Sequence, residues 1–65
     1  MWHYQIRRRV INGEKEFDIV ENYYTIGAYT ECGVSPIGNT KKELLVDLER
    51  MLEDAKKYPV LIQKD

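Results

Sequence analysis

Four side chains could do chemistry by their type: His3, Cys32, Ser35 and Glu21. A thiol or hydroxyl nucleophile needs a base within hydrogen-bond reach and usually a third group to orient it. His3 is the only histidine and Cys32 the only cysteine. That leaves no intrachain disulfide and no zinc site of ordinary ligand count. The strand register derived below puts His3 and Cys32 on opposite faces of a sheet, so they form no dyad within one chain. Cys32 is expected as a small core residue, and His3 as a surface residue of a first or edge strand. With no acid–base pair, metal cluster or phosphate loop, the chain is expected not to be an enzyme and to carry no cofactor.

Glu21 differs because of its neighbours. It falls on an apolar strand face, between Ile19 and Tyr23. A carboxylate there must be hydrogen-bonded or charge-paired to offset its desolvation. Arg8 and Tyr4 are on the same face. Glu21 is expected as a partly buried polar anchor; as a ligand-binding carboxylate it would have a shifted pKa.

The elements that position these residues follow from periodicity. Trp2, Tyr4, Ile6 and Val10 alternate with His3, Gln5, Arg7 and Arg9, the period of a half-buried strand. Asn12-Gly13 is a strong hairpin signal, because both residues tolerate the positive φ of a type I′ turn. Phe17, Ile19 and Tyr23 alternate in a second strand. With Asn12 and Gly13 as the loop, Arg9 faces Glu16, Arg7 faces Asp18, Ile6 meets Ile19 and Trp2 meets Tyr23. One face then carries apolar pairs and the other opposite charges, each pair contributing roughly 0.2–1 kcal/mol.

Ile26-Gly27 predicts a second turn, with Tyr24 facing Tyr29 in a third strand and with Cys32 and Val34 on the apolar side. Ser35 to Asn39 form a loop, since Pro36 lacks a donor and Gly38 permits unusual dihedrals. Thr40 and Glu43 form a capping box. Leu44, Leu48, Met51, Leu52 and Ala55 make an apolar stripe at helical spacing, with the pairs Asp47–Arg50 and Glu53–Lys57 on the solvent side. Lys56 and Lys57 favour the last turn, Pro59 stops the helix, and Val60 to Ile62 are a possible short fourth strand.

The 65 residues make a single small α+β domain, 1–65. The expected fold is a three-stranded antiparallel meander, β-β-β-α, with one helix packed on one face. Its core would be Trp2, Tyr4, Ile6, Val10, Phe17, Ile19, Val34, Leu44, Leu48, Met51 and Leu52. A composition 43% hydrophobic and 32% charged is that of a globular chain. A chain this short buries about 60% of its unfolded surface, so association, as a homodimer, is the expected source of further stability.

The net charge of −1 selects neither nucleic acid nor an anionic membrane. No apolar run approaches the roughly 18 residues of a membrane span. Met1-Trp2-His3-Tyr4 before three arginines is the wrong order for a secretory signal, and a lone thiol fits a reducing compartment. A cytoplasmic location is expected.

Over nearly its whole length the chain resembles a group of small uncharacterised bacterial β-β-β-α proteins. The shared positions are an aromatic first strand; Ile19, Glu21, Tyr23 and Tyr24; Tyr29, Thr30, Glu31 and Pro36; and Gly38 and Thr40. They continue with Glu43, Leu44, Asp47, Leu48, Met51 and Leu52, and close with Pro59, Val60 and Leu61. The chain departs from that pattern at Tyr29, where a tryptophan is usual, and at Thr25 to Ala28, where the usual loop is longer. The resemblance implies the fold and carries no activity. A looser similarity, resting on the capping box, is to HicB-type antitoxins.

The expected function is a non-enzymatic protein-interaction module. It would bind a second copy or another protein through a strand edge or the aromatic sheet face away from the helix, made of Tyr24 and Tyr29 with Val20 and His3. The alternative is a nucleic-acid-binding or antitoxin-like regulator using Arg7, Arg9, Lys41 and Lys42. Alternation separates Arg8 from Arg7 and Arg9, and the second strand's acids offset two of the three.

Overall fold

The computed structural model describes residues 1–63. Its elements are β1 (His3–Ile11), β2 (Glu14–Tyr23), β3 (Ala28–Tyr29), α1 (Lys41–Lys57) and β4 (Leu61–Ile62). The alternating segments form the β1–β2 hairpin around Asn12 and Gly13, whose φ values of 51° and 81° are the positive pair a type I′ turn demands. The resulting register sets Ile6 against Ile19, Arg7 against Asp18 and Arg9 against Glu16.

The second turn differs from the expected one. Tyr23 pairs with Ala28 and Asn22 with Tyr29, so the loop has four residues, Tyr24 to Gly27, and Tyr24 does not face Tyr29. The physical reason is Ile26. In a two-residue loop it would take a positive φ at the first central position, which a β-branched residue resists. Instead the Ile26 N–H donates to the Tyr23 carbonyl at 3.1 Å, and only Gly27, at φ 69°, is left-handed.

After β3 the chain follows the outer side of β2. Thr30 N–H donates to Glu21 O at 3.0 Å and Val34 N–H to Ile19 O at 2.7 Å. The possible fourth strand is real, and it is parallel: Leu61 pairs with Arg7 and Ile62 with Arg8. The sheet is therefore four-stranded and mixed, in the order β3-β2-β1-β4, rather than a three-stranded antiparallel meander.

Thr40 caps α1 by accepting from Glu43 N at 3.1 Å, while Glu43 reaches back one residue further than expected, to Asn39 N at 2.9 Å. Two aspartates dock the helix. Asp54 Oδ2 accepts from Tyr4 N at 3.0 Å, at the outer edge of β1 before β4 begins. Asp47 accepts from the Tyr4 hydroxyl at 2.7 Å and from Ile37 N at 2.9 Å, in the segment arriving from β2's outer side. α1 thus packs against β1 at Tyr4. The expected solvent-side pair Asp47–Arg50 gives way to this arrangement, and the Arg50 guanidinium lies 4.3 Å from the Trp2 ring centroid instead.

The core is smaller than expected and sits on both faces of the sheet. Tyr4, Val20 and Met51 are its buried apolar residues, joined by buried Gln5 and Arg7. Phe17 (63% exposed), Leu48 and Leu52 (57%) are surface residues rather than core, and Cys32 is exposed. Phe17 lies two same-face rows beyond Tyr4–Glu21, the row whose Tyr4 docks α1. No helix among the described residues is long and apolar enough to cross a membrane.

Candidate functional site

The expected aromatic contact face is present in part: His3 and Tyr29 share a sheet row through Asn22 and exposed Tyr24 stacks on His3, but Val20 does not belong to its surface. Val20 is fully buried. His3 is held in a stack, its ring 3.6 Å from Tyr58 and 5.2 Å from Tyr24. Tyr24 and Tyr29 are each partly exposed, and Tyr29 lies across from Asn22, with the Arg7 guanidinium 6.0 Å from its ring centroid. The chain itself covers this face. Gln5 Oε1 accepts from Asn22 Nδ2 at 2.8 Å and lies 3.1 Å from His3 Nε2, while Gln5 Nε2 donates to Pro59 O at 2.8 Å.

At the centre of that face lies an ion pair. Arg7, only 1% exposed, donates from Nε and NH2 to the two carboxylate oxygens of Asp18 at 3.0 and 2.5 Å, and from NH1 to Thr30 O at 3.1 Å. The Gln63 side-chain oxygen lies 3.4 Å from NH1. Arg7 is therefore out of solvent and fully engaged within the fold. Arg9 stands beside it, with NH2 3.6 Å from Asp18 and its NH1 donating to Glu31 O at 3.4 Å. Lys41 and Lys42 are exposed in the first turn of α1, away from both.

An open pocket of about 500 Å³ lies against this pair, lined by Arg7, Arg9, Ala28, Tyr29, Glu31 and Gln63. Asp18 answers both Arg7 and Arg9, and Glu31 adds an acid to the wall. Among the described residues no group of three His, Cys, Asp or Glu side chains could hold a metal ion.

On the helix side, Glu21 is half-buried and accepts from the Tyr23 hydroxyl at 2.6 Å, not from Arg8 or Tyr4. That hydrogen bond, with burial, raises the Tyr23 pKa. Burial pushes the Tyr4 hydroxyl up to about 12, aided by its hydrogen bond to Asp47. The same hydrogen bond, with the Ile37 N–H, holds the Asp47 carboxyl below its ordinary value. The Tyr4–Asp47 hydrogen bond docks α1 on the sheet, whereas the Tyr23–Glu21 bond lies within β2.

What the fold leaves open is an apolar corner. Beyond the helix the sheet shows two rows on the same face: Ile19–Ile6, continued by Val60 just before β4, and Phe17–Arg8–Ile62. Phe17, Ile62 and Val60 are exposed. Arg50 fixes the rotation of α1 by facing Trp2, at the start of β1. At 3.6 residues per turn, Leu45, Leu48 and Leu52 lie on the opposite flank, toward the open rows, and all three are exposed. Sheet floor and helix wall form a trough.

The sequence carried a signal for this trough. Leu45 extends the apolar arc of α1 beyond what one sheet contact covers. The burial of Arg7 had no comparable signal, since Thr30 and Gln63, which close over it, are distant in sequence. Comparison with family models, with curated proteins and with solved structures finds no match to this chain.

Proposed function

We propose that the chain is a non-enzymatic protein-interaction module whose docking surface is the trough between α1 and the open sheet rows. One observation carries this reading: Leu45, Leu48 and Leu52 of α1 and Phe17 and Ile62 of the sheet are all exposed large apolar side chains. Contiguous exposed apolar surface on a small domain marks an interaction site. The aromatic residues favoured by the sequence are engaged within the chain, at His3, Asn22 and Arg7. The nucleic-acid alternative loses Arg7 to Asp18.

Site-specific photocrosslinking in cells tests the reading. A benzophenone side chain at Leu52 should give discrete protein adducts, and the same group at Tyr24 should give none. Adducts from Tyr24 alone, or from neither position, would overturn it.

A further inference from the structure

Resting on that reading of the trough, we infer that its partner is an acidic amphipathic helix. Charge decides the class. Arg8 stands between Phe17 and Ile62 in the floor, half-buried, and no carboxylate among the described residues forms an ion pair with it. Lys15 follows Phe17 on the same side of β2 by alternation. Lys41 and Lys56 bracket the leucine stripe at helical spacing, in the series 41, 45, 48, 52, 56, and both are exposed.

All but one of the nearby acids are elsewhere. Glu14, Glu16 and Asp18 alternate onto the other face of β2. Asp47 and Asp54 are turned to Tyr4, and Glu21 accepts from the Tyr23 hydroxyl. Glu49 borders the stripe on its solvent side. The trough is thus apolar in its middle and basic in its floor, with a rim in which Lys41 and Lys56 outnumber Glu49. A guanidinium out of full solvent contact gains a strong, charge-assisted hydrogen bond from an incoming carboxylate. An apolar corner between a sheet and a helix matches the ridge of a third helix, recognised through leucine-type anchors at i, i+3, i+4 and i+7.

The other occupants fit less well. Two copies mated through this face would bring basic rims together, and like charges across an interface oppose association. A bilayer surface is flat and would meet the edges of the corner rather than its apolar floor. Nucleic acid would answer the cations and leave the leucines in water.

The test uses the full chain with labelled methyl groups and three synthetic helical peptides: a leucine ridge flanked by glutamates, the same ridge flanked by lysines, and the glutamate peptide with its leucines scrambled. The expected result is binding of the first, with shifts at Leu45, Leu48, Leu52 and Ile62. It should bind about tenfold or more tightly than the lysine peptide at low salt, less so as salt rises. Arg8→Glu should reverse the preference, and Arg8→Gln should weaken it with the fold intact by circular dichroism.

If acidic and basic peptides bind the trough equally, the acidic partner is wrong and the docking surface stands. If no peptide shifts the trough, the acidic partner is wrong, and the crosslinking at Leu52 decides the surface separately. Self-association through these methyls in sedimentation, or binding only to phosphatidylglycerol vesicles, would equally overturn the acidic helix.

Discussion

Arg7 and Asp18 face each other across the β1–β2 ladder and meet through two parallel hydrogen bonds, with the arginine only 1% exposed. Two charges in so small a protein stabilise the fold only because the remaining guanidinium donor reaches Thr30 O.

Removing one partner should therefore unfold the chain. Asp18→Ala leaves a buried cation and is expected to cost about 3–5 kcal/mol, comparable to the whole stability of a small domain. Arg7→Met with Asp18→Leu replaces both charges by apolar groups and should recover most of it. Urea unfolding of the single and double variants measures the difference.

The position of the core gives a second contrast. Met51 is 3% exposed and Leu52, the next residue, 57%. Met51→Ala is expected to cost about 2–5 kcal/mol, whereas Leu52→Gln, a surface change, should stay within about 0.5 kcal/mol of wild type. Thermal melts of the two variants would show it. Equal losses would mean that the helix turns its leucine flank, not Met51, to the sheet.

The Tyr4–Asp47 hydrogen bond makes stability depend on pH at both ends. The neutral Tyr4 hydroxyl is favoured in the fold, chiefly by burial. Its contribution is complete below about pH 10, the unfolded value, and is lost as pH rises toward about 12. Asp47 has the opposite sign. Held below its ordinary value by Tyr4 and Ile37, it contributes above the unfolded carboxylate pKa and loses that contribution as pH falls through its folded value. Tyr4→Phe should flatten the alkaline limb of melting temperature against pH, and Asp47→Asn the acid limb.

The start of α1 depends on two small residues. A Cβ on Gly38 would come within 2.5 Å of Leu44 N and 2.8 Å of Glu43 backbone carbon, so Gly38→Ala must push the loop off the first turn. A loss of about 1–3 kcal/mol is expected. Thr40→Ala removes the hydroxyl that accepts from Glu43 N and should cost about 1 kcal/mol. Helical circular dichroism with denaturant titration would separate them.

The hairpin and the helix were legible because their causes are local. Asn12-Gly13 sets the β1–β2 register and Thr40 sets the start of α1. The charge pairs Arg7–Asp18 and Arg9–Glu16 were visible as partners, but not which of them is buried. That depends on the segment after Tyr29 and on Gln63 closing over the face, contacts made across the length of the chain. The aromatic face is present only in part for a related reason. Val20 and His3 alternate like solvent-facing residues, yet Tyr58 and Pro59, returning from the helix, cover that side. Alternation assigns a face; it does not say what the rest of the chain lays upon it.

The parallel pairing of β4 with β1 has a consequence for how the molecule is made. Leu61 meets Arg7, and Gln63 N donates to Arg8 O, so β1 waits during synthesis for residues as far as 56 positions downstream. The hairpin can form early, within microseconds of being released. Until the later residues arrive, however, Arg7 and Gln5 stay wet and one rim of β1 offers bare amides. Chaperone engagement, nascent-chain pausing and intermolecular strand pairing would all act in that interval. A ribosome-bound chain stopped before Tyr58 should be far more sensitive to protease than one stopped with residue 63 clear of the exit tunnel.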